Sequence, residues 1–266
     1  MENASKALIM AGGMLLAILI ISLLIYAWSL FSKYQASKDE LADIEDTAKF
    51  NEQFINYDRK GVQGYELLSL VNKVIDYNYR MSNAEGAKND EKYQPITIVI
   101  DFNGNRKKLL RDSNNQNNKL FTSDLYKQST TNNVFKDIIG TTHNIESRYG
   151  GADCATKIAK GIDGILLTED QLQQNRNKGV TDEQSWEAAV KKFNSCSENH
   201  HVSNKADLQG ESNLIYQYYE YMQFKKALFD SQSSAITYEN QTGTSENQSG
   251  TGRITAMKFV FTGNLY

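Results

Sequence analysis

The chain has very little proline and cysteine, with one proline and two cysteines among 266 residues. These counts exclude a proline-rich linker and a disulfide-dense scaffold. Excess positive charge is also lacking, because 29 basic residues face 32 acidic ones and the formal net charge is −3. The sequence therefore offers no strongly basic surface for nucleic acid, and we expect no nucleic-acid partner.

Recognisable catalytic motifs are lacking as well. The sequence contains no glycine-rich phosphate loop, no H-E-x-x-H pair and no G-x-S-x-G turn. His143 belongs to no recognisable catalytic triad. The run Asp101–Asn105 imitates the start of a calcium loop, but Arg106 stands where that loop needs glycine, so a hairpin turn is the better interpretation. We expect a protein that is not an enzyme, with no catalytic residues, no cofactor and no metal site.

One long apolar run dominates the N-terminal part of the sequence. Residues 7–31 contain no charged side chain. At ~1.5 Å per residue they form a helix ~37 Å long, enough to cross a ~30 Å hydrocarbon core with some tilt. Tyr26 and Trp28 lie near the C-terminal end of the run, where aromatic rings suit a membrane interface. The sequence predicts an N-terminal tail and transmembrane helix over residues 1–31, with a cleaved signal peptide as the alternative.

A heptad pattern continues beyond the apolar run. Apolar residues recur at intervals of three and four, and Ser37 and Asn51 fill two of the places. This spacing predicts one unbroken helix from about residue 4 to about residue 57, of which residues 32–57 are an amphipathic continuation. Its apolar stripe packs either against copies of the same chain or against the chain's own downstream domain. This candidate helix-packing stripe consists of Tyr34, Leu41, Ile44, Ala48 and Ile55.

This architecture resembles that of bacterial type IV pilin-like proteins, the pseudopilins and related single-span proteins. The resemblance covers residues 3 to about 80, where an uncharged helix runs without a break into an amphipathic half and a polar domain follows. Gly13-Met14 imitates the family's processing junction, while Ile18 stands where the family usually has glutamate. The resemblance implies that the apolar half anchors the subunit in a membrane and packs in the core of a filament.

Residues 58–266 predict one α+β domain built on a small antiparallel sheet packed with helices. Gln94-Pro95 precedes a run of β-branched residues, Ile96–Ile100, that favours a strand. Asn103-Gly104 is typical of a hairpin turn, after which residues 107–110 form a candidate return strand. Two further strand patterns in the C-terminal part, 235–238 and 252–263, complete the predicted sheet.

A helical insertion of about residues 120–230 separates the two parts of the predicted sheet. Thr168 with Gln171, and Thr181 with Gln184, have the spacing of capping boxes at helix N-termini. A last helix begins at Ser212, and apolar spacing extends it to Phe229.

Cys154 and Cys196 are the two cysteines of the chain, and both lie in the helical region. In an oxidising compartment we expect them to form one disulfide, which would contribute ~4 kcal/mol on a chain-entropy estimate. Two free thiols are an alternative. A third alternative is a zinc site, because Cys196 is followed by His200 and His201.

Tyrosine is concentrated in one short stretch, at Tyr216, Tyr218, Tyr219 and Tyr221. Tyrosine combines apolar area with a polar tip and is enriched at interfaces. The stretch is a candidate contact surface for protein or glycan, or else a half-buried amphipathic helix.

These observations lead us to expect a structural or assembly subunit, a pilin-like component of a bacterial envelope appendage or secretion apparatus. Its partners would be membrane lipid and other pilin-like subunits or copies of itself, contacted through the N-terminal helix. The alternative is a membrane-tethered module that binds protein or glycan without polymerising. In both cases we expect a single-pass protein of the cell membrane with its large C-terminal domain outside the cytoplasm.

Overall fold

The computed structural model describes residues 2–83, 95–105, 109, 120–121, 131–232, 236–238 and 252–265. Its contacts divide the chain into two compact units. The first unit comprises Met1–Gln53 and Asn240–Arg253, and the second comprises Phe54–Glu239 and Ile254–Tyr266.

The first helix, α1, runs from Glu2 to Ile55 without interruption. It confirms the predicted long helix to within two residues at each end. Gly12 and Gly13 lie within it, and the next glycine of the chain is Gly61, which has a positive φ of 70° just beyond the helix end. The absence of helix breakers between Met14 and Lys60 explains the length of α1.

In the second unit, the last two residues of α1 are followed by a short strand, β1 (Val62–Gln63), and a helix, α2 (Gly64–Asn83). Gly64 packs directly against the last turn of α8 (Ser212–Lys226). A Cβ atom at Gly64 would overlap the carbonyl oxygen of Phe224 and lie 2.7 Å from its carbonyl carbon. Only glycine permits this close approach of the two helices.

The sheet of the second unit has the strand order β1-β3-β5-β2. Its members are β2 (Thr97–Asp101), β3 (Ala227–Ser231) and β5 (Ile254–Leu265), and β4 (Thr237–Tyr238) pairs with β5 beside this path. The β1–β3, β3–β5 and β4–β5 pairs are antiparallel, as predicted, whereas β2 runs parallel to β5. The sheet is therefore antiparallel apart from one parallel edge strand.

One local prediction differs from the structure around these strands, and another falls mostly on residues that the structure does not describe. The final helix stops at Lys226, and Phe229 belongs to β3, where it pairs with Phe261 of β5. Asn103 and Gly104 form a turn with φ values of 45° and 70°, but the proposed return strand at 107–110 lies outside the described residues except for Leu109.

Between β2 and β3, the described residues from Thr131 to Lys226 are largely helical. Both predicted capping boxes are present, at Thr168 with Gln171 and at Thr181 with Gln184. One apolar cluster, which includes Tyr149, Phe193 and Tyr218, holds much of this region together. The helices are α3 (Thr131–Tyr149), α4 (Ala152–Lys160), α5 (Glu169–Arg176), α6 (Asp182–Cys196), α7 (Lys205–Gly210) and α8, with a 3₁₀ turn at Ile162–Gly164.

Five phenylalanine rings form an aromatic group that joins the sheet to the helical region. Phe102 lies 6.3–6.4 Å, between ring centroids, from Phe121, Phe224, Phe229 and Phe261. Phe121 and Phe224 stack at 4.1 Å. Because these rings come from the residue after β2, from β3, β5 and α8, and from the 120–121 segment, they tie the sheet to the end of the helical region.

Candidate interaction surface

The apolar half of α1 is exposed over its whole length. Among the described residues one helical segment, Ser5–Ile55, is long and apolar enough to cross a membrane by its length and composition. Large side chains throughout residues 8–31 are more than half exposed, including Leu16, Ile21 and Trp28. Transfer of such a surface from water to lipid is favourable, at about 25 cal/mol per Å² of apolar area. The predicted apolar run is therefore confirmed as one continuous and exposed helix.

The C-terminal half of α1 contacts another segment of its own unit through one face. Asn51 donates a hydrogen bond from Nδ2 to the carbonyl oxygen of Gly252 at 3.0 Å. The guanidinium of Arg253 lies 5.1 Å from the centre of the Phe50 ring. Gly252 also faces the methyl group of Thr47. Thr47, Phe50 and Asn51 thus form what we call the covered face of α1.

The predicted stripe lies on a different side of α1 and is exposed. Tyr34, Leu41 and Ile44 are 67%, 66% and 59% exposed, and Ala48 and Ile55 are also exposed. At ~100° per residue, the centre of this stripe is rotated by about 110° from the centre of the covered face. Asn51 belongs both to the covered face and to the heptad pattern, so the two surfaces adjoin there, while the five apolar residues of the stripe are exposed.

The predicted disulfide is absent, because Cys154 and Cys196 are both free thiols. Cys154 is buried at the start of α4, and its Sγ atom lies close to Gly150 and to Glu198, two residues beyond Cys196. Burial and the Glu198 carboxylate raise the pKa of the Cys154 thiol. Cys196, at the end of α6, has its sulfur 4.0 Å from the Ser195 hydroxyl. The two cysteine side chains therefore contact different residues. Without a disulfide, the cysteines give no support to an extracytoplasmic location.

The alternative zinc site is not assembled either. His201 Nε2 lies 3.0 Å from the carbonyl oxygen of Ser197, and His200 joins a carboxylate elsewhere. Within the described ranges, no group of three or more His, Cys, Asp or Glu side chains is placed to hold a metal ion.

The four tyrosines of α8 are divided between core and surface. Tyr218 is buried, and its hydroxyl donates to Glu146 at 2.8 Å. Burial, followed by this hydrogen bond, raises the pKa of Tyr218. Tyr216, Tyr219 and Tyr221 are half-buried and pack against the same apolar cluster. The stretch consequently has the character of a half-buried helix face, with only part of each remaining ring accessible.

A buried carboxylate network joins three distant parts of the helical region. Glu211, between α7 and α8, accepts hydrogen bonds from Arg148 Nε at 3.0 Å, Arg148 Nη2 at 2.6 Å and the Tyr149 hydroxyl at 3.0 Å. His200 Nε2 lies 3.1 Å from the same carboxylate. Burial raises the pKa of Glu211, but the hydrogen bonds from Arg148 and Tyr149 outweigh burial, so its pKa lies below the ordinary value. Sequence reasoning missed this network because its members are scattered along the chain.

A cleft of about 710 Å³ runs along α6. Trp186 and Val190 supply its apolar wall, and Ser203, Asn204 and Lys205 close the other side. Trp186 is almost completely buried, yet no described residue accepts a hydrogen bond from its indole Nε1. The ammonium of Lys205 lies 5.1 Å from the centre of the Trp186 ring. A buried donor without an acceptor is costly, by about 1–3 kcal/mol, so this cleft is the second candidate site.

Comparison with known proteins yields no matching protein family, no similar curated protein and no similar solved structure.

Proposed function

We propose that the protein is a membrane-anchored structural subunit that associates laterally with copies of itself through α1. One observation carries this proposal: α1 uses its covered face for contacts with residues 252–253 and leaves the five apolar side chains of the stripe exposed. A stripe that served only intramolecular packing would be expected on the covered face. The free stripe favours a second helix as its partner.

The pilin-like role follows as the finer part of this proposal. A span of this length favours a location in a membrane, and its direct continuation into an exposed stripe brings the stripes of neighbouring copies side by side. In this arrangement the domain of residues 58–266 lies outside the cytoplasm and forms the outer surface of a bacterial envelope assembly. The role is structural and not enzymatic.

Self-association can be tested with an aspartate in the stripe. We expect Ile44→Asp to reduce the association constant of the full chain at least about tenfold, because an unpaired carboxylate would be buried between helices. Sedimentation equilibrium in density-matched detergent micelles measures this constant.

Ala42→Asp is the matched control, since Ala42 is also exposed on α1 but lies away from the stripe. It should change the association constant less than about twofold. Equal effects of both substitutions, or a wild-type chain that stays monomeric, would contradict the proposal.

The cleft along α6 favours a second function, a membrane-tethered binding module. The indole ring of Trp186 lines the cleft, and a sugar ring or a peptide side chain could pack on its face after Lys205 moves away from it. In a Trp28→Phe chain Trp186 is the only tryptophan. This function predicts a shift of its fluorescence with chitotriose or with a capped lysine-containing pentapeptide.

Lys205→Ala should strengthen this response, because it uncovers the ring. Val180→Ala, a substitution outside the cleft lining, should leave it unchanged. Emission that stays constant up to millimolar concentrations of both probes would count against a binding function of the cleft.

A further inference from the structure

A lysine of the chain itself covers the aromatic wall of the cleft along α6. The Lys205 ammonium lies 5.1 Å from the centre of the Trp186 ring, and in this arrangement the cation is attracted to the electron-rich face of the indole. The Lys205 side chain is exposed, and among the described residues it forms no salt bridge. The ammonium can therefore leave the ring without breaking a salt bridge.

The opposite wall of the cleft is fixed by hydrogen bonds. Asn194, on α6, donates from Nδ2 to the carbonyl oxygen of Val202 and accepts from the backbone N–H of the same residue through Oδ1, both at 2.9 Å. Asn204 caps α7 by accepting from the backbone N–H of Asp207 at 3.0 Å. The backbone that leads to Lys205 is thus tied to α6, so the lysine side chain can move while the cleft keeps its shape.

Acidic side chains give the cleft a charge opposite to that of a lysine. Its lining contains three carboxylates and two ammonium groups, those of Asp182, Glu183, Glu187, Lys191 and Lys205. Arg176 binds the Asp182 carboxylate at 2.7 Å. Glu183 and Glu187, one helical turn apart, form no salt bridge in the part of the chain that the structure describes. When Lys205 moves away, the cleft is left with three carboxylates against one ammonium.

We propose that this cleft binds the side chain of a lysine from a partner polypeptide, and that Lys205 occupies its place on the Trp186 ring until the partner binds. This proposal rests on the binding function proposed above for the cleft. Lys205 shows that an alkyl stem ending in an ammonium reaches the ring, and a partner lysine carries the same group. Glu183 and Glu187 are its counter-charges, which an uncharged sugar would leave unused. The cleft volume of about 710 Å³ is within the usual range of ligand pockets, about 300–1,000 Å³.

Fluorescence titration of the full chain tests this proposal. In a Trp28→Phe background Trp186 is the only tryptophan, and octaethylene glycol dodecyl ether micelles carry neither a sugar nor an ammonium headgroup. The probes are acetyl-Gly-Gly-Lys-Gly-Gly-amide and the same peptide with norleucine, which has the alkyl stem of lysine without its charge. We expect the lysine peptide to bind at least about fivefold more tightly than the norleucine peptide.

Removal of Lys205 should strengthen the binding of the lysine peptide. Lys205→Ala takes away the competing ammonium, so we expect the affinity to rise at least about threefold. Lys192→Ala is the matched control, because it removes the same charge from α6 at a position outside the cleft lining. It should change the affinity less than about twofold.

Removal of the counter-charges should weaken the binding of the same peptide. We expect Glu183→Gln/Glu187→Gln to lower its affinity at least about fivefold and to leave that of the norleucine peptide unchanged. Asp39→Asn/Glu40→Gln is the control, because it removes two exposed carboxylates from α1, and it should change neither affinity more than about twofold.

The outcomes separate this proposal from the binding function on which it rests. Equal affinity for the two peptides overturns the lysine proposal, and so does an effect of Lys205→Ala or Glu183→Gln/Glu187→Gln no larger than that of its control. In each of these cases, an emission shift with either peptide or with chitotriose leaves the binding function standing. Emission that no probe shifts, even in the Lys205→Ala chain, overturns both.

Discussion

Replacement of Gly64 by alanine should lower the melting temperature of the second unit by about 10 °C, from a loss of about 3 kcal/mol. The added methyl group would overlap the backbone carbonyl of Phe224 at the end of α8. A backbone atom cannot rotate away as a side chain can, so α2 and α8 must separate. Their separation opens the aromatic group around Phe102, to which Phe224 belongs.

Gly140→Ala is the matched control for this substitution. Gly140 lies in α3 with open space around its Cα, and alanine favours a helix more than glycine does, by about 0.5–1 kcal/mol. Circular dichroism during thermal unfolding should show a small rise of the melting temperature for Gly140→Ala. A change of less than about 2 °C for Gly64→Ala would show that the two helices adjust easily.

Removal of Arg148 should have the second largest effect. Arg148→Ala takes two hydrogen bonds from a buried carboxylate, and we expect a loss of about 2–3 kcal/mol in the free energy of unfolding. This expected loss is smaller than is usual for breaking a fully buried ion pair, because the Arg148 side chain is 41% exposed and solvent screens its charge. Urea unfolding followed by Trp186 fluorescence, in a Trp28→Phe background, measures the loss.

Arg176→Ala supplies the control for Arg148→Ala. Arg176 also binds two carboxylates, those of Glu169 and Asp182, but both are largely exposed. Surface pairs of this kind contribute about 0–1 kcal/mol, so the two arginine substitutions should differ by at least ~1 kcal/mol. Equal losses of unfolding free energy in the two variants would contradict the prediction, because they would mean that the Glu211 carboxylate is as well solvated as a surface carboxylate.

The same network makes stability depend on pH in a defined direction. The pKa of Glu211 is lower in the folded chain than its ordinary value of 4.5. Its ionised form therefore stabilises the fold above that value, and this contribution is lost as the pH falls through the lower, folded pKa. Glu211→Gln should be less stable than wild type at pH 7, and the difference should shrink below about pH 4. A difference that is constant from pH 7 to pH 3 would contradict this assignment.

Local sequence signals predicted much of the architecture. The unbroken α1 follows from an uncharged run joined to a heptad pattern, and both capping boxes follow from the spacing of Thr168 with Gln171 and Thr181 with Gln184. Features of this kind depend on residues within a turn or two of each other. For that reason they can be read from one sequence.

Features that depend on distant residues could not be predicted in the same way. Phe229 continued the helical spacing of α8, and only its pairing with Phe261 places it in a strand. The parallel contact of β2 with β5 and the Arg148–Glu211 pair likewise join distant segments. The covered face of α1 left no comparable signal, because Phe50 is the only large apolar side chain among its three residues.

The position of β5 has a consequence for the order of events during synthesis. This strand lies at the centre of the sheet and pairs with β2, β3 and β4, yet it follows all three of them in the sequence. The apolar part of α1 precedes β5 by most of the sequence, so it leaves the ribosome while the sheet still lacks its central strand. Contacts between such distant segments form slowly. Under the anchoring proposed above, each copy would be tethered before its core is complete.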